Sequence, residues 1–264
     1  MSTAAPPIDP NRPSPARVYD AFLGGTHNFA VDRAIATRTS ELLPETALLA
    51  RANRAFLGRA VRYAAGRGIT QFLDLGSGIP TEGNVHEVAR AEVPDATVVY
   101  VDVDPTAVLY ARHLLGDDPL TAVVHSDLRE PATVLGDARV RELIDFSRPV
   151  AVMMVAVLHF VPDGPALDAA VRAYRDAVVP GSVLAFSHTT FAGDTAVLER
   201  ITHLYTRTGG PLVPRDAERM ARFLDGWRLV EPGLVAAPLW RPDPADEPIT
   251  GEARNLMLAC VAER

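Results

Sequence analysis

The chain has 264 residues, 48% of them hydrophobic, and a formal net charge of −7. That length and apolar share give one large α/β domain, or one domain with an appendage, and exclude global disorder, while the acidic balance without a basic tract disfavours a nucleic-acid partner. Every basic side chain among the 26 Lys and Arg positions is arginine, which excludes lysine Schiff-base or P-loop chemistry, and the single Cys260 excludes an intramolecular disulfide and a cysteine metal cluster.

Residues 1–13, rich in proline and small residues, read as a mobile arm. No basic-then-apolar leader opens the chain and no apolar run approaches membrane-spanning length, so a soluble cytoplasmic protein without a membrane partner is expected. Ser14-Pro15 gives an N-cap and a first-turn proline, and Gly24-Gly25 a stop, so a helix is predicted over about 15–23. Further helices are predicted over 31–43 and from Pro44 towards Ala65, the latter with apolar residues at helical spacing and stopped by Gly66 and Gly68.

From Ile69 strands and helices alternate. Strands are expected near 70–75, 97–102, 121–125, 149–157 and 182–187, with helices near 82–92, 106–115, 132–143 and 165–178 between them. Such repetition predicts a parallel sheet with helices on both faces. Helices near 194–207 and 215–224, an irregular proline-rich loop, and strands near 227–231 and 255–262 complete the chain. Cys260 sits in the apolar run of the last strand and reads as a core thiol.

Three consecutive strands each deliver an acid at the carboxyl end, where open α/β sheets bind ligands. The first runs into Asp74-Leu75-Gly76-Ser77-Gly78, whose two glycines bring bare backbone to the crevice. Thr81 stands where a dinucleotide fingerprint has its third glycine, and Asp74 would repel a diphosphate. S-adenosylmethionine, with a sulfonium and an ammonium, has the matching sign. Asp102 lies one helix and one strand further on and suits the two hydroxyls of a ribose, while Asp104 either caps the following helix or contributes nearby. Asp127 suits an adenine amino group, with Leu128 beside the ring; alternatively it caps the helix beyond Pro131.

Asp-x-Gly-x-Gly, Val-Asp, Ser-Asp and Leu158-His159-Phe160-Val161-Pro162-Asp163, in this order, resemble class I, Rossmann-type S-adenosylmethionine-dependent methyltransferases. Ala16-Arg17-Val18-Tyr19-Asp20, Leu23-Gly24-Gly25, Asn28, Val31-Asp32-Arg33, Asn53-Arg54-Ala55-Phe56-Leu57 and Gly78-x-Pro80-Thr81-x-Gly83-Asn84 resemble one group within them that is common in actinobacteria. The resemblance covers nearly the whole chain beyond residue 14. It implies an α/β, doubly wound, mostly parallel seven-stranded sheet whose last strand is antiparallel, a helical lid over 14–68 and a cofactor domain over 69–264. It also implies that Asp74, Gly76, Ser77 and Gly78 line the methionine part, Asp102 and Val103 the ribose, Asp127 and Leu128 the adenine, and Ala156 the sulfonium side. Tyr19, Gly25, Asn28 and Arg54 would close over the cofactor, Tyr19 through its ring and Arg54 at the cofactor carboxylate. For Arg54 an ion pair with a neighbouring helix, and for Gly24-Gly25 a plain helix stop, are the alternatives.

His159 is a candidate general base or, equally, a packing residue, and His27 a weaker second candidate. The remaining histidines have no metal-ligand spacing, so no metal site is expected. Three functions stay open: methyl transfer to a small-molecule O, N or C nucleophile, a non-catalytic S-adenosylmethionine-binding or sensor protein, and a nicotinamide-dependent oxidoreductase, which Asp74 and Thr81 disfavour. No Asn-Pro-Pro-Tyr-type stretch follows the fourth strand, against methylation of nucleic-acid bases.

Overall fold

Side chains alternate along β1 (Gln71–Leu75) and β2 (Thr97–Asp102): Leu73, Leu75, Val99 and Val101 enter one core, Phe72, Val98 and Tyr100 another on the opposite face. Strands apolar on both faces belong in the middle of a covered parallel sheet. In the computed structural model these two pair in parallel with each other, and with β3 (Thr121–His125) and β4 (Ala151–Val155) on either side. The structure describes residues 8–80, 83–191, 195–208 and 210–264. Thr81 and the start of the helix predicted from residue 82 lie outside them, as does most of the proposed arm.

The full order is β3-β2-β1-β4-β5-β8-β6, with β5 (Val183–Thr189) parallel to β4, and β8 (Met257–Glu263) antiparallel to β5, β6 (Arg228–Leu229) and β7 (Val235–Ala236). The expected mostly parallel sheet with a closing antiparallel strand is present. The short β7 is an addition, formed inside the proline-rich loop that reads as irregular in sequence. One face is covered by α3 (Thr46–Gly66) and α4 (Val85–Glu92), with α5 (Pro105–Leu115) along β2 and β3. The other carries α6 (Pro131–Gly136), α7 (Ala138–Leu143), α8 (Pro165–Ala177) and α10 (Ala217–Phe223). Cys260 is buried and free, and burial pushes its thiol up to about 12.

Two boundaries differ from expectation for local reasons. The helix predicted over 132–143 breaks at Asp137, whose carboxylate accepts the Arg139 N–H at 2.8 Å and so starts a second helix. The fourth strand ends at Val155 because Ala156 adopts φ 54°, turning the chain away from the sheet.

The amino-terminal helices also divide differently from a lid over 14–68. Phe56, Leu57, Ala60, Val61 and Ala64 of α3 pack into the sheet core, so α3 is part of the layer that covers the sheet. The separate cluster is formed by α1 (Pro15–Phe22) and α2 (Ala30–Leu42), whose Val18, Ile35 and Ala36 meet Ile201, Tyr205 and Leu212. Ile201 and Tyr205 lie on α9 (Thr195–Thr208), so α9 packs with α1 and α2. Among the described residues no helix is long and apolar enough to cross a membrane.

Candidate functional site

A cavity of about 490 Å³ opens at the carboxyl edge of β3, β2, β1 and β4, and α1 forms its roof. At one end Ser14 Oγ donates to Asp104, just beyond β2; further along the helix, Tyr19 is hydrogen-bonded to Asn53, which reaches Ser187 of β5. The roof therefore runs along the sheet edge, across the ends of the strands.

Asp74, Asp102 and Asp127 all line this cavity. Asp102 accepts the Gly78 N–H at 2.7 Å on one oxygen and the Asp104 N–H at 2.8 Å on the other. Each oxygen retains a lone pair for a further donor. Asp104 accepts the Thr106 N–H at 2.7 Å, so it is the helix cap. Burial pushes Asp102 up to about 6 and Asp74 up to about 7; Arg54 draws Asp74 down and Asp102 draws it up. For Asp127 burial is outweighed by hydrogen bonds from Arg129, which hold its carboxyl below the ordinary range. Asp127 thus closes a turn onto Arg129, while the helix beyond Pro131 begins after Glu130 with no side-chain cap.

Gly76 is required by space, and Gly78, with open space around it, by its backbone at φ 66°. Gly76 has φ 76°, and a Cβ there would lie 2.1 Å from Val157 Cγ2, so the turns after β1 and β4 touch. Ser77, Gly78, Val103, Leu128 and Ala156 line the same cavity. So do Tyr19 and Arg54, the latter donating to Asn84 Oδ1 at 3.0 Å above the glycine turn.

His159 is not among the lining residues. The 3₁₀ turn over Leu158–Phe160 points it under β5, where Nδ1 accepts a long 3.4 Å bond from the Thr189 N–H. Burial, helped by His188 and the Arg215 guanidinium, holds it well below its ordinary value and neutral. His188 is likewise neutral: its Nδ1 faces the Thr189 carbonyl, its Nε2 accepts from Arg215, and burial lowers it to about 4. His27 packs edge-on against Tyr110, outside the cavity wall.

A family model described as S-adenosyl methyltransferase matches residues 1–264. The chain belongs to the S-adenosyl methyltransferase family. S-adenosylmethionine is the cofactor this family is named for. Two solved structures are similar throughout. A candidate methyltransferase from Thermobifida fusca YX is 41% identical over 100% of this chain and 99% of its own, with a TM-score of 0.91. A DUF574 family protein from Streptomyces avermitilis MA-4680 is 34% identical over 98% of this chain and 100% of its own, with a TM-score of 0.93. The N-methyltransferase NodS from Bradyrhizobium japonicum WM9, at 12% identity over 81% of this chain and 97% of its own, has a TM-score of 0.50 and shares the fold. A comparison with curated protein sequences finds no match.

In this family member, two residues expected to close over the cofactor stand elsewhere. Gly25 and Asn28 are absent from the cavity wall and serve the turn after α1. The Asp20 carboxylate lies where a Gly25 Cβ would be, 2.1 Å away, and accepts from Asn28 Nδ2 at 2.7 Å. Other residues at or beside the cleft escaped sequence reasoning. Arg17 Nε donates to Asp32 Oδ2 at 2.7 Å and its Nη1 to Thr106 Oγ1 at 2.8 Å, latching α1 to the start of α5. Its third nitrogen donates to the Arg12 carbonyl, which fixes part of the segment expected to be mobile. Asn53 and Arg129 also line the cleft.

Proposed function

We propose that the protein is a cytoplasmic methyltransferase that holds S-adenosylmethionine across Asp74, Asp102 and Asp127 and methylates a small-molecule O, N or C nucleophile. The observation that carries this reading is the convergence of those three carboxylates, from three neighbouring strands, on one cavity. Asp102 would take the ribose hydroxyls on its remaining lone pairs. Asp74 would face the ammonium and Arg54 the carboxylate of the methionine part, with Leu128 beside the adenine. A buried acid without full compensation favours a cationic ligand over the diphosphate of a dinucleotide. The cavity volume lies in the small-molecule range of about 300–1,000 Å³.

Bound there, the sulfonium supplies an electrophilic methyl group. The protein's share is alignment of the acceptor and exclusion of water, which such displacements need more than an elaborate catalytic set. His159, walled off and neutral, has no part in it. His159→Gln is expected to lower the thermal midpoint while leaving the dissociation constant for S-adenosylmethionine unchanged; a matching loss of affinity would return it to the site.

The acids give binding a pH signature. Folded Asp74 and Asp102 hold protons that the unfolded chain, with carboxyls near 3.8, has released. Raising the pH from about 4 to about 7 therefore weakens the ligand-free fold. A bound cation favours the ionised acids, so binding at pH 6 is expected to release protons, and at pH 8 hardly any. Titration calorimetry in buffers of different ionisation enthalpy measures this; proton uptake at pH 6 would contradict it.

Methyl transfer itself is tested by incubating the protein and methyl-labelled S-adenosylmethionine with fractionated metabolite extract. Label in a protein-dependent product is expected. Tight cofactor binding with no labelled product in any fraction would favour the non-catalytic reading.

A further inference from the structure

A chain of hydrogen bonds, buried at its Ser187–Asn53 link and part-buried at the others, joins the turn after β4 to the roof of the cleft. The Ala156 N–H donates to Ser187 Oγ at 2.9 Å, and Ser187 Oγ–H to Asn53 Oδ1 at 2.6 Å. Asn53 Nδ2 donates to Tyr19 Oη at 3.0 Å, and Tyr19 Oη–H to the Ala50 carbonyl at 3.0 Å. Only one ordering of protons satisfies it. The Ala50 carbonyl can only accept, so Tyr19 donates there and must accept from the Asn53 amide nitrogen. The Asn53 oxygen then faces Ser187, whose hydroxyl must donate, leaving its lone pair for the Ala156 N–H.

Ser187 is 0% and Asn53 2% exposed, so breaking the link between them strands a buried polar group, while the Ala156 N–H also reaches the Ser187 carbonyl at 3.2 Å. Ala156, Asn53 and Tyr19 of the chain are cleft-wall residues. Ala156 is held at φ 54°, a conformation that persists in a non-glycine residue only where the surroundings impose it. Tyr19 has its hydroxyl bound between α3 groups, and burial raises its pKa above the ordinary 10.0. With its proton committed, its ring is what remains to face a ligand.

We infer that Ser187 and Asn53 are positioning residues, which hold the Tyr19 ring and the Ala156 turn so that the cleft favours a charged sulfonium over a neutral thioether. The inference rests on the reading that the cleft takes S-adenosylmethionine. An aromatic face attracts a cation only when held against it, and that attraction is lost once the methyl group has left and the sulfur is neutral. The network would therefore raise affinity for the methyl donor relative to its demethylated product, S-adenosylhomocysteine. A merely structural role would move both affinities together.

The test is calorimetric titration of wild type, Ser187→Ala, Ser187→Thr and Tyr19→Phe with both ligands. In Ser187→Ala the ratio of the two dissociation constants is expected to shift about fivefold towards S-adenosylhomocysteine, the size of a cation–π contact. Ser187→Thr, which keeps a hydroxyl, is expected to restore the ratio. Tyr19→Phe keeps the ring but cuts the chain, so it is expected to repeat the shift without touching β5, and it carries the test if Ser187→Ala does not fold. Equal weakening of both ligands, or an unchanged ratio, in the variants that fold would overturn the inference while leaving the cofactor reading intact. Failure of the wild type to bind either ligand would overturn both.

Discussion

Asp102→Ala is expected to weaken S-adenosylmethionine binding by more than tenfold. A carboxylate at the end of β2 is the acceptor proposed for the two ribose hydroxyls, and charge-assisted hydrogen bonds contribute roughly 1.5–3 kcal/mol each. The same carboxylate fixes the glycine turn through the Gly78 N–H and the start of α5 through the Asp104 N–H. Alanine removes all of these at once. Asp102→Asn keeps the shape and one acceptor oxygen, so its loss should be smaller. Calorimetry gives both numbers; unchanged affinity in Asp102→Ala would remove this residue from the site.

The second large effect is on the fold. The Arg17 and Asp32 side chains are 4% and 0% exposed and pair at 2.7 Å. Asp32 also accepts the Ser14 and Phe29 backbone N–H groups at 3.0 and 2.8 Å, so one carboxylate closes the entry to both α1 and α2. Removing one partner of a buried pair leaves the other charged and unmatched, at a cost of about 3–5 kcal/mol. For a chain of this length that corresponds to a fall in thermal midpoint of roughly 10 °C. Arg17→Ala is therefore expected to melt far earlier than wild type. Arg17→Met with Asp32→Asn, which removes both charges and keeps an acceptor oxygen for the helix-entry N–H groups, should recover part of the loss. A midpoint unchanged in Arg17→Ala would show that the latch is not formed.

The latch shows why part of this molecule was legible in sequence and part was not. An apolar run ending in an acid is a local signal, and it located Asp74, Asp102 and Asp127 together with the strands that carry them. Proline at the first turn marked the start of α1, and Asp104 as a cap the start of α5, by equally local signals. What failed depended on direction or on long-range contact. His159 follows the fourth strand as a base should, but one 3₁₀ turn sends its ring beneath β5. Gly25 and Asn28 sit in a motif shared with the family, yet their contacts are with Asp20. Asn53 and Ser187 are 134 residues apart, and no spacing rule pairs them. The helix over 132–143 failed locally, because Asp137 competes for the backbone as a new cap within a stretch of good helix formers.

The claim on which the account stands is that one adenosyl cation spans the carboxyl ends of β1, β2 and β3. A crystal structure of the complex with S-adenosylmethionine measures it directly. The account predicts ribose hydroxyls within hydrogen-bond distance of Asp102, the amino group beside Asp74 and the adenine against Leu128. Ligand seated elsewhere at saturating concentration, with these three acids left untouched, would contradict it.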